Sequence, residues 1–173
     1  MKIFGTTGSR SFQFDRMVRA LDEADFSSVV SDDVEVHVQI GSSTYIPKNV
    51  EWIRFLSRDE FLDQIKCADI VVTHGGTGAI VSAISSGKKV VAVPRLASFS
   101  EAVDDHQVEL VKQFEQMKLI RGCFDLSRIV EDVARAVSEE YRPYRSNTEA
   151  ILKSIDEFIQ LEVIKDGRRR AAQ

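Results

Sequence analysis

The sequence predicts an α/β fold, a Rossmann-like parallel sheet with helices on both faces. Three observations carry that expectation. Ile70-Val71-Val72 is a short apolar, β-branched run, the pattern of a strand buried on both sides. Gly75, Gly76 and Gly78 follow at once. Ala79 to Ser86 then carries an apolar face at Ile80, Ala83 and Ile84 and stops at Gly87. Val90 to Val93 ends at Pro94, so strand, glycine turn, helix and strand make a βαβ unit. The second observation is the order of elements, β-α-β-β-α-β-α-β-α-β-α-α over 173 residues. The third is where the turns fall. The segments Thr6–Ser9, Gly41–Thr44, Gly75–Gly78 and Asp105–Gln107 all follow strands, at the edge where open α/β sheets bind ligands.

Each element has its own warrant. Lys2 to Thr6 reads as the first strand. Phe14, Met17, Val18 and Leu21 recur at helical spacing, giving a helix over about Phe14 to Ala24, with Asp15 in its first turn as the dipole prefers. Val34, Val36, Val38 and Ile40 alternate with Glu35, His37 and Gln39, a half-exposed strand with His37 on its polar face. A strand over Glu51 to Phe55 follows. Ser57-Arg58-Asp59-Glu60 has the spacing of a capping box, opening a helix with Phe61, Leu62 and Ile65 inward. Beyond Pro94 the chain is polar to Val103. A helix then carries Leu110, Phe114 and Met117 on one face, Leu119-Ile120 reads as a last short strand, and Asp125 caps a helix with Ile129, Val130, Val133 and Val137. Ser146-Asn147-Thr148-Glu149 suggests a second capping box, opening a helix from Asn147 to Val163 with an apolar stripe of Ile151, Ile155, Phe158 and Ile159. That stripe packs on the chain's own sheet or on a partner. The division expected is residues 1–145 as one domain, 146–164 as the C-terminal helix and 165–173 as a basic tail. Arg168-Arg169-Arg170 is a solvated tail or a contact for anionic lipid.

Composition narrows the function classes. With 43% hydrophobic and 29% charged residues and a net charge of −4, nucleic acid is not the expected partner. No window approaches the roughly 18 apolar residues of a membrane span. The start, Met1-Lys2-Ile3-Phe4-Gly5, turns polar too soon for a signal peptide. Cys67 and Cys123 lack metal or redox spacing, so a reduced, cytoplasmic chain without a structural metal is expected.

The glycine loop is the first candidate site. Glycines let a ligand approach the backbone, and a helix start offers unpaired N–H groups and a positive dipole end, which suits phosphate. It is no Walker loop, because Ala79-Ile80 stands where Lys-Ser/Thr would be needed, and it does not match the dinucleotide GxGxxG. Taken alone it leaves a second reading open, a tight turn without a ligand. Thr6, Thr7 and Gly8 form a second small-residue turn, either a phosphate or sugar contact or a plain connection. His74 either touches phosphate or hydrogen-bonds within its turn. His106 and Gln107 offer donors and acceptors for sugar hydroxyls, or His106 is a surface helix cap. Asp104 and Asp105 are adjacent in a first turn, which fits capping better than the two separated carboxylates of a glycosidase.

Together these segments resemble a known family. Phe4-Gly5-Thr6-Thr7 with Phe14-Asp15-Arg16, Gly75-Gly76-Thr77-Gly78 with Gly87-Lys88, Val93-Pro94-Arg95, and Asp104-Asp105-His106-Gln107 look like the donor-binding half of family 28 glycosyltransferases. The likeness runs from about Lys2 to Val137. It is nearest to split-gene bacterial subunits of capsule and exopolysaccharide synthesis, and similar to the donor half of the eukaryotic UDP-GlcNAc transferase of dolichol-linked oligosaccharide synthesis. The resemblance implies one half of a GT-B enzyme, a UDP-sugar substrate and no metal or other cofactor. It implies diphosphate at Thr6, Thr7, Gly8, His74, Gly75, Gly76, Thr77 and Gly78, uracil read by the backbone near Leu56, and sugar at Asp105, His106 and Gln107. Ser82 stands where relatives often place a ribose-binding Glu. The acceptor site and general base are implied to lie on a membrane-anchored, acceptor-binding glycosyltransferase subunit. The chain is then the donor subunit of a two-subunit inverting hexosyltransferase with a lipid-linked acceptor, cytoplasmic and held at the inner membrane face by its partner. The alternative is a non-catalytic nucleotide-sugar-binding or scaffolding module of the same fold.

Overall fold

The computed structural model describes residues 1–27 and 33–171, with side chains through residue 160. Six strands form one parallel sheet: β1 (Lys2–Thr6), β2 (Glu35–Gln39), β3 (Glu51–Ile53), β4 (Ile70–His74), β5 (Lys89–Val93) and β6 (Arg121–Gly122). Their spatial order is β3-β2-β1-β4-β5-β6, so the sheet grows outward in both directions from the β1–β4 pair. Six helices connect and follow them: α1 (Asp15–Glu23), α2 (Arg58–Cys67), α3 (Thr77–Ser85), α4 (His106–Gln116), α5 (Ile129–Ser138) and α6 (Thr148–Ala171).

Strand alternation divides the core in two. Ile3, Val38, Ile70, Val72, Val91 and Val93 face α1 and α5 and pack against Phe14, Met17, Leu21 and Val133. Phe4, Val71, Val90 and Ala92 face the other way, onto Ile65 of α2, Ile80 and Ala83 of α3 and Val111 of α4. Both faces are covered, which is what the β-branched strands predict.

Several local readings shift. His37 is half-buried rather than on an open face: its Nδ1 lies 2.9 Å from Gln64 Oε1 of α2, and its ring tilts on Phe4. The polar side of β2 is covered because a parallel sheet carries helices on both faces. Asp15 sits in the first turn of α1 as expected, and its carboxylate also accepts from Thr44 N (2.7 Å) and Tyr45 N (3.1 Å), tying that turn to the Gly41–Thr44 segment. The last strand lies at Arg121–Gly122, just beyond the buried Leu119 and Ile120. On α4 the buried face carries Gln107 and Val111, while Met117 is exposed. The Ser57–Glu60 capping box forms in both directions. At α6, Ser146 Oγ accepts from Thr148 N (3.3 Å) instead of closing a box with Glu149.

Helix α6 is longer than the pattern implies. It continues through the Lys- and Arg-rich stretch, residues with good helix propensity. From Glu149 to Gln160 every residue is exposed, Ile151, Leu152, Ile155, Phe158 and Ile159 included. The side chains of Arg168, Arg169 and Arg170, and residues 172–173, lie outside the described residues.

Candidate functional site

The strand order reverses between β1 and β4, and a ligand crevice belongs beyond their carboxyl ends. A cleft of about 830 Å³ opens there. The β1–α1 loop supplies Gly8 and Arg10, and the β3–α2 connection supplies Leu56 and Arg58. The β4–α3 loop supplies His74 to Gly78, and the β5–α4 connection supplies Arg95, Glu101 and Asp104. A second cavity, about 660 Å³, sits at the opposite end of β1, beside Lys2, Phe26 and Ala68, and none of the glycine turns reaches it.

Helix α3 starts at the cleft and is left open there. Gly76 is its N-cap, no side chain caps it, and no acidic residue occupies its first turn. Gly75 N donates to Val93 O (3.0 Å), tying the loop to β5. The first-turn amides of Thr77, Gly78 and Ala79 therefore face the cleft side with no intrahelical acceptor. Of its neighbours, α2 is capped by Ser57 and Glu60, while α1 and α4 also lack a side-chain cap; there Ser43 Oγ takes Phe14 N (3.0 Å) and Asp104 Oδ1 takes His106 N (3.1 Å). The Gly41–Thr44 turn reaches this end of the sheet, but Ser43 and Thr44 are spent on α1.

The His74 ring is wedged between two glycines. A Cβ on Gly8 would stand 2.5 Å from His74 Cε1, and one on Gly76 would stand 2.8 Å from Cδ2. Gly8 also has φ +77°, in the left-handed region. Burial lowers the His74 pKa to about 4. Arg95 and Arg10 push the same way, and a hydrogen bond with the Thr6 backbone opposes them. The imidazole is neutral at pH 7: it is a wall and a hydrogen-bonding edge, not a cation.

Beneath the cleft lies an ionic cluster that sequence reasoning does not reveal. Arg95 is buried and donates to the carbonyls of Thr7 (2.7 Å), Gln13 (2.7 Å), Glu101 (3.1 Å) and Phe12 (3.3 Å). Its fork thus ties the β1–α1 loop to the β5–α4 connection. Burial brings its pKa down to about 10, opposed by Glu101, and it stays charged at neutral pH. The buried Glu101 carboxylate is taken by Arg16 in a two-pronged pair (2.8 and 2.9 Å) and also accepts from Leu96 N (3.0 Å). Arg95 standing directly after a buried strand and Pro94 is the only local hint of this cluster.

The cleft gathers most of the residues marked from sequence. Gly8, Leu56 and His74 line it, as do Gly75, Gly76, Thr77, Gly78 and Ser82 on the loop and helix, and His106 and Gln107 opposite. Three residues fall outside it. Thr6 and Thr7 are buried under the floor. Thr6 Oγ1 donates to Gln39 Oε1 (2.9 Å) and accepts from Gly8 N (3.1 Å), while Thr7 Oγ1 donates to Gln39 O (3.2 Å). Asp105 accepts from Ala97 N (2.7 Å) and so holds the β5–α4 connection.

The polar groups that remain suit hydroxyls. Gln107 Oε1 accepts from Arg95 N (3.1 Å), leaving its amide NH2 as the free end. His106 Nδ1 pairs with the Asp104 carboxylate, which that contact holds below the usual carboxylate range. Ser82 Oγ donates to Gly78 O (2.8 Å), so it can only accept from a ligand. The open start of α3, the polar groups of α4 and an apolar wall at Leu56 and Phe61 make one continuous cleft.

The sequence model of the glycosyltransferase family 28 C-terminal domain matches residues 2–161. The UDP-N-acetylglucosamine transferase subunit ALG13 of Homo sapiens is 26% identical over 159 residues, covering 88% of this chain and 13% of that protein. The subunit of the same name from Kluyveromyces lactis is 32% identical over 85 residues, covering 49% of this chain and 36% of that one. The chain thus spans well under half the length of the curated relatives it matches. Among solved structures, the glycotransferase of kitacinnamycin superposes with a TM-score of 0.59 over 80% of this chain and 35% of its own, at 21% identity, a likeness of fold. With the family match running from the first strand into the last helix, this chain belongs to the glycosyltransferase family 28 C-terminal domain family and has the Rossmann-like architecture of half a GT-B enzyme.

Proposed function

We propose that this chain is the donor-binding subunit of a two-subunit inverting glycosyltransferase, passing a sugar from a UDP-sugar to a lipid-linked acceptor. The observation that carries the reading is the open start of α3, aimed into the cleft at the sheet's reversal point. The diphosphate lies on the Thr77–Ala79 amides, the uracil lies toward Leu56, and the sugar meets His106 and Gln107. In the transfer step the acceptor hydroxyl attacks the anomeric carbon from the face opposite the diphosphate. The bond from that carbon to the phosphate oxygen breaks, and a base on the partner takes the hydroxyl proton. Negative charge grows on the departing diphosphate, where fixed amides and a helix dipole are most effective. The reading assigns no metal or other cofactor.

The partner supplies acceptor site, base and membrane anchor, and holds this chain at the cytoplasmic face. Two things support it: the matched relatives are named as subunits, and α6 offers exposed Ile151, Ile155, Phe158 and Ile159. Ser82 favours a second reading, a binding module without catalysis, because its hydroxyl proton is already given to Gly78. Truncation before Ser146, assayed beside the full chain with the membrane-anchored half, separates the two. The donor-subunit reading expects the shortened chain to fold and bind UDP, lose its partner and lose transfer. Transfer by the full chain alone contradicts the two-subunit reading. Absence of transfer by the assembled pair contradicts the enzymatic one.

A further inference from the structure

The cleft carries more positive charge than its own carboxylates answer. Five charged side chains line it: Arg10, Arg58, Arg95, Glu101 and Asp104. Both carboxylates are engaged, Glu101 with Arg16 and Asp104 with His106. Arg95 is hydrogen-bonded only to carbonyl oxygens, so no carboxylate touches its guanidinium. A buried cation held in that way keeps its field.

Arg10 stands close to that cation. It lies two residues beyond Gly8, and its backbone is fixed: Gly8 N is held by Thr6 Oγ1 (3.1 Å), and Arg10 O accepts from Ser42 Oγ (3.1 Å). Arg10 lines the cleft, and its side chain makes no hydrogen bond or ion pair among the described residues. It is near enough to push the pKa values of both His74 and Arg95 downward. A guanidinium carried by a fixed backbone beside a second, buried guanidinium, with no carboxylate paired to either, sets up a positive field that an anion in the cleft answers.

We propose that Arg10 is the side-chain ligand of the anionic group in the cleft, a diphosphate held between its guanidinium and the open amides of α3. The proposal deepens the nucleotide-sugar reading and rests on it. It divides the labour on the anion. The amides are fixed and oriented, whereas the guanidinium is exposed and mobile, and it offers paired donors that match two phosphate oxygens. Arg95 lies under the loop and adds charge without contact. Arg10 thereby becomes a determinant of affinity for the phosphate part alone, with no share in holding base or sugar.

The test is calorimetry with three probes, UDP, uridine and inorganic pyrophosphate, on the wild-type chain, Arg10→Ala and Arg10→Lys. Arg10→Ala should weaken UDP and pyrophosphate on the order of 10-fold, the lower end for a charge-assisted contact because the side chain is exposed. Uridine binding and the melting temperature should not move, and Arg10→Lys should recover part of the loss. Loss of UDP and uridine in equal measure, or pyrophosphate binding unchanged in Arg10→Ala, overturns the proposal. If the wild type binds pyrophosphate but not UDP, the nucleotide reading falls, and Arg10 is judged on pyrophosphate alone. If the wild type binds neither, both fall.

Discussion

Replacing Gly76 with alanine tests how the β4–α3 glycine loop is held. Gly76 has φ −84° and ψ 124°, a conformation any residue adopts, so the cost is the contact with His74 alone. The ring cannot swing away, because Gly8 closes its other side. Overpacking of this kind costs about 1–3 kcal/mol, and a chain this long loses roughly 2–4 °C in Tm per kcal/mol. Gly8→Ala meets the same ring but also puts a Cβ at φ +77°, a further 1–2 kcal/mol or so. His74→Ala removes the shared obstacle. In that background Gly76→Ala should become nearly neutral, while Gly8→Ala should keep its roughly 1–2 kcal/mol backbone penalty. Thermal melts of the wild type, three single variants and two doubles measure this directly. If Gly76→Ala costs as much without the His74 ring as with it, the wedge between the two loops is not what shapes the site.

Three other outcomes are expected. Glu101→Ala strands Arg16 and frees Leu96 N; breaking a buried pair costs about 3–5 kcal/mol, so a melt should show a fall on the order of 10 °C, with weaker UDP binding as the Arg95–Glu101 connection loosens. His74 should make the fold acid-sensitive. Its folded pKa, about 4, lies below the ordinary 6.5, so the unfolded chain takes up the proton first and stability falls as pH drops from 6.5 toward 4; above 6.5 both states are neutral and the effect vanishes. Melts across that pH range should flatten in His74→Gln. His106→Ala should leave the melting temperature and UDP affinity alone, since the side chain is 61% exposed, yet weaken a UDP-sugar by roughly 2- to 13-fold in calorimetry, one neutral hydrogen bond's worth.

The sheet was legible because its strands obey one pattern. Val71 and Val72 point to opposite cores, and a run buried on both faces is hydrophobic at every position. The glycine loop was legible as a strand-to-helix turn, because its glycines stand between an apolar β-branched run and an apolar helix face. What stayed hidden was pairing across distance. Arg16 and Glu101 stand 85 residues apart, and neither carries a local sign of the other. Thr6 and Thr7 lie in the expected turn, but both are buried and both hydroxyls donate to Gln39 beneath it, a partner more than 30 residues away. The pattern around Gln107 suggests only a sugar contact, yet half of its amide is engaged in fixing Arg95 N. Asp15 and His37 illustrate the same limit, since each answers to a loop or helix that folds over it from elsewhere in the chain.

The proposed function places the diphosphate and uracil of a UDP-sugar in the cleft between β1 and β4. Titrating UDP and ADP separately into the purified chain, by calorimetry, tests it most directly. Saturable one-site binding of UDP is expected, weakened in Gly76→Ala, with markedly weaker binding of ADP. Equal or tighter binding of ADP, or no binding of UDP, contradicts it.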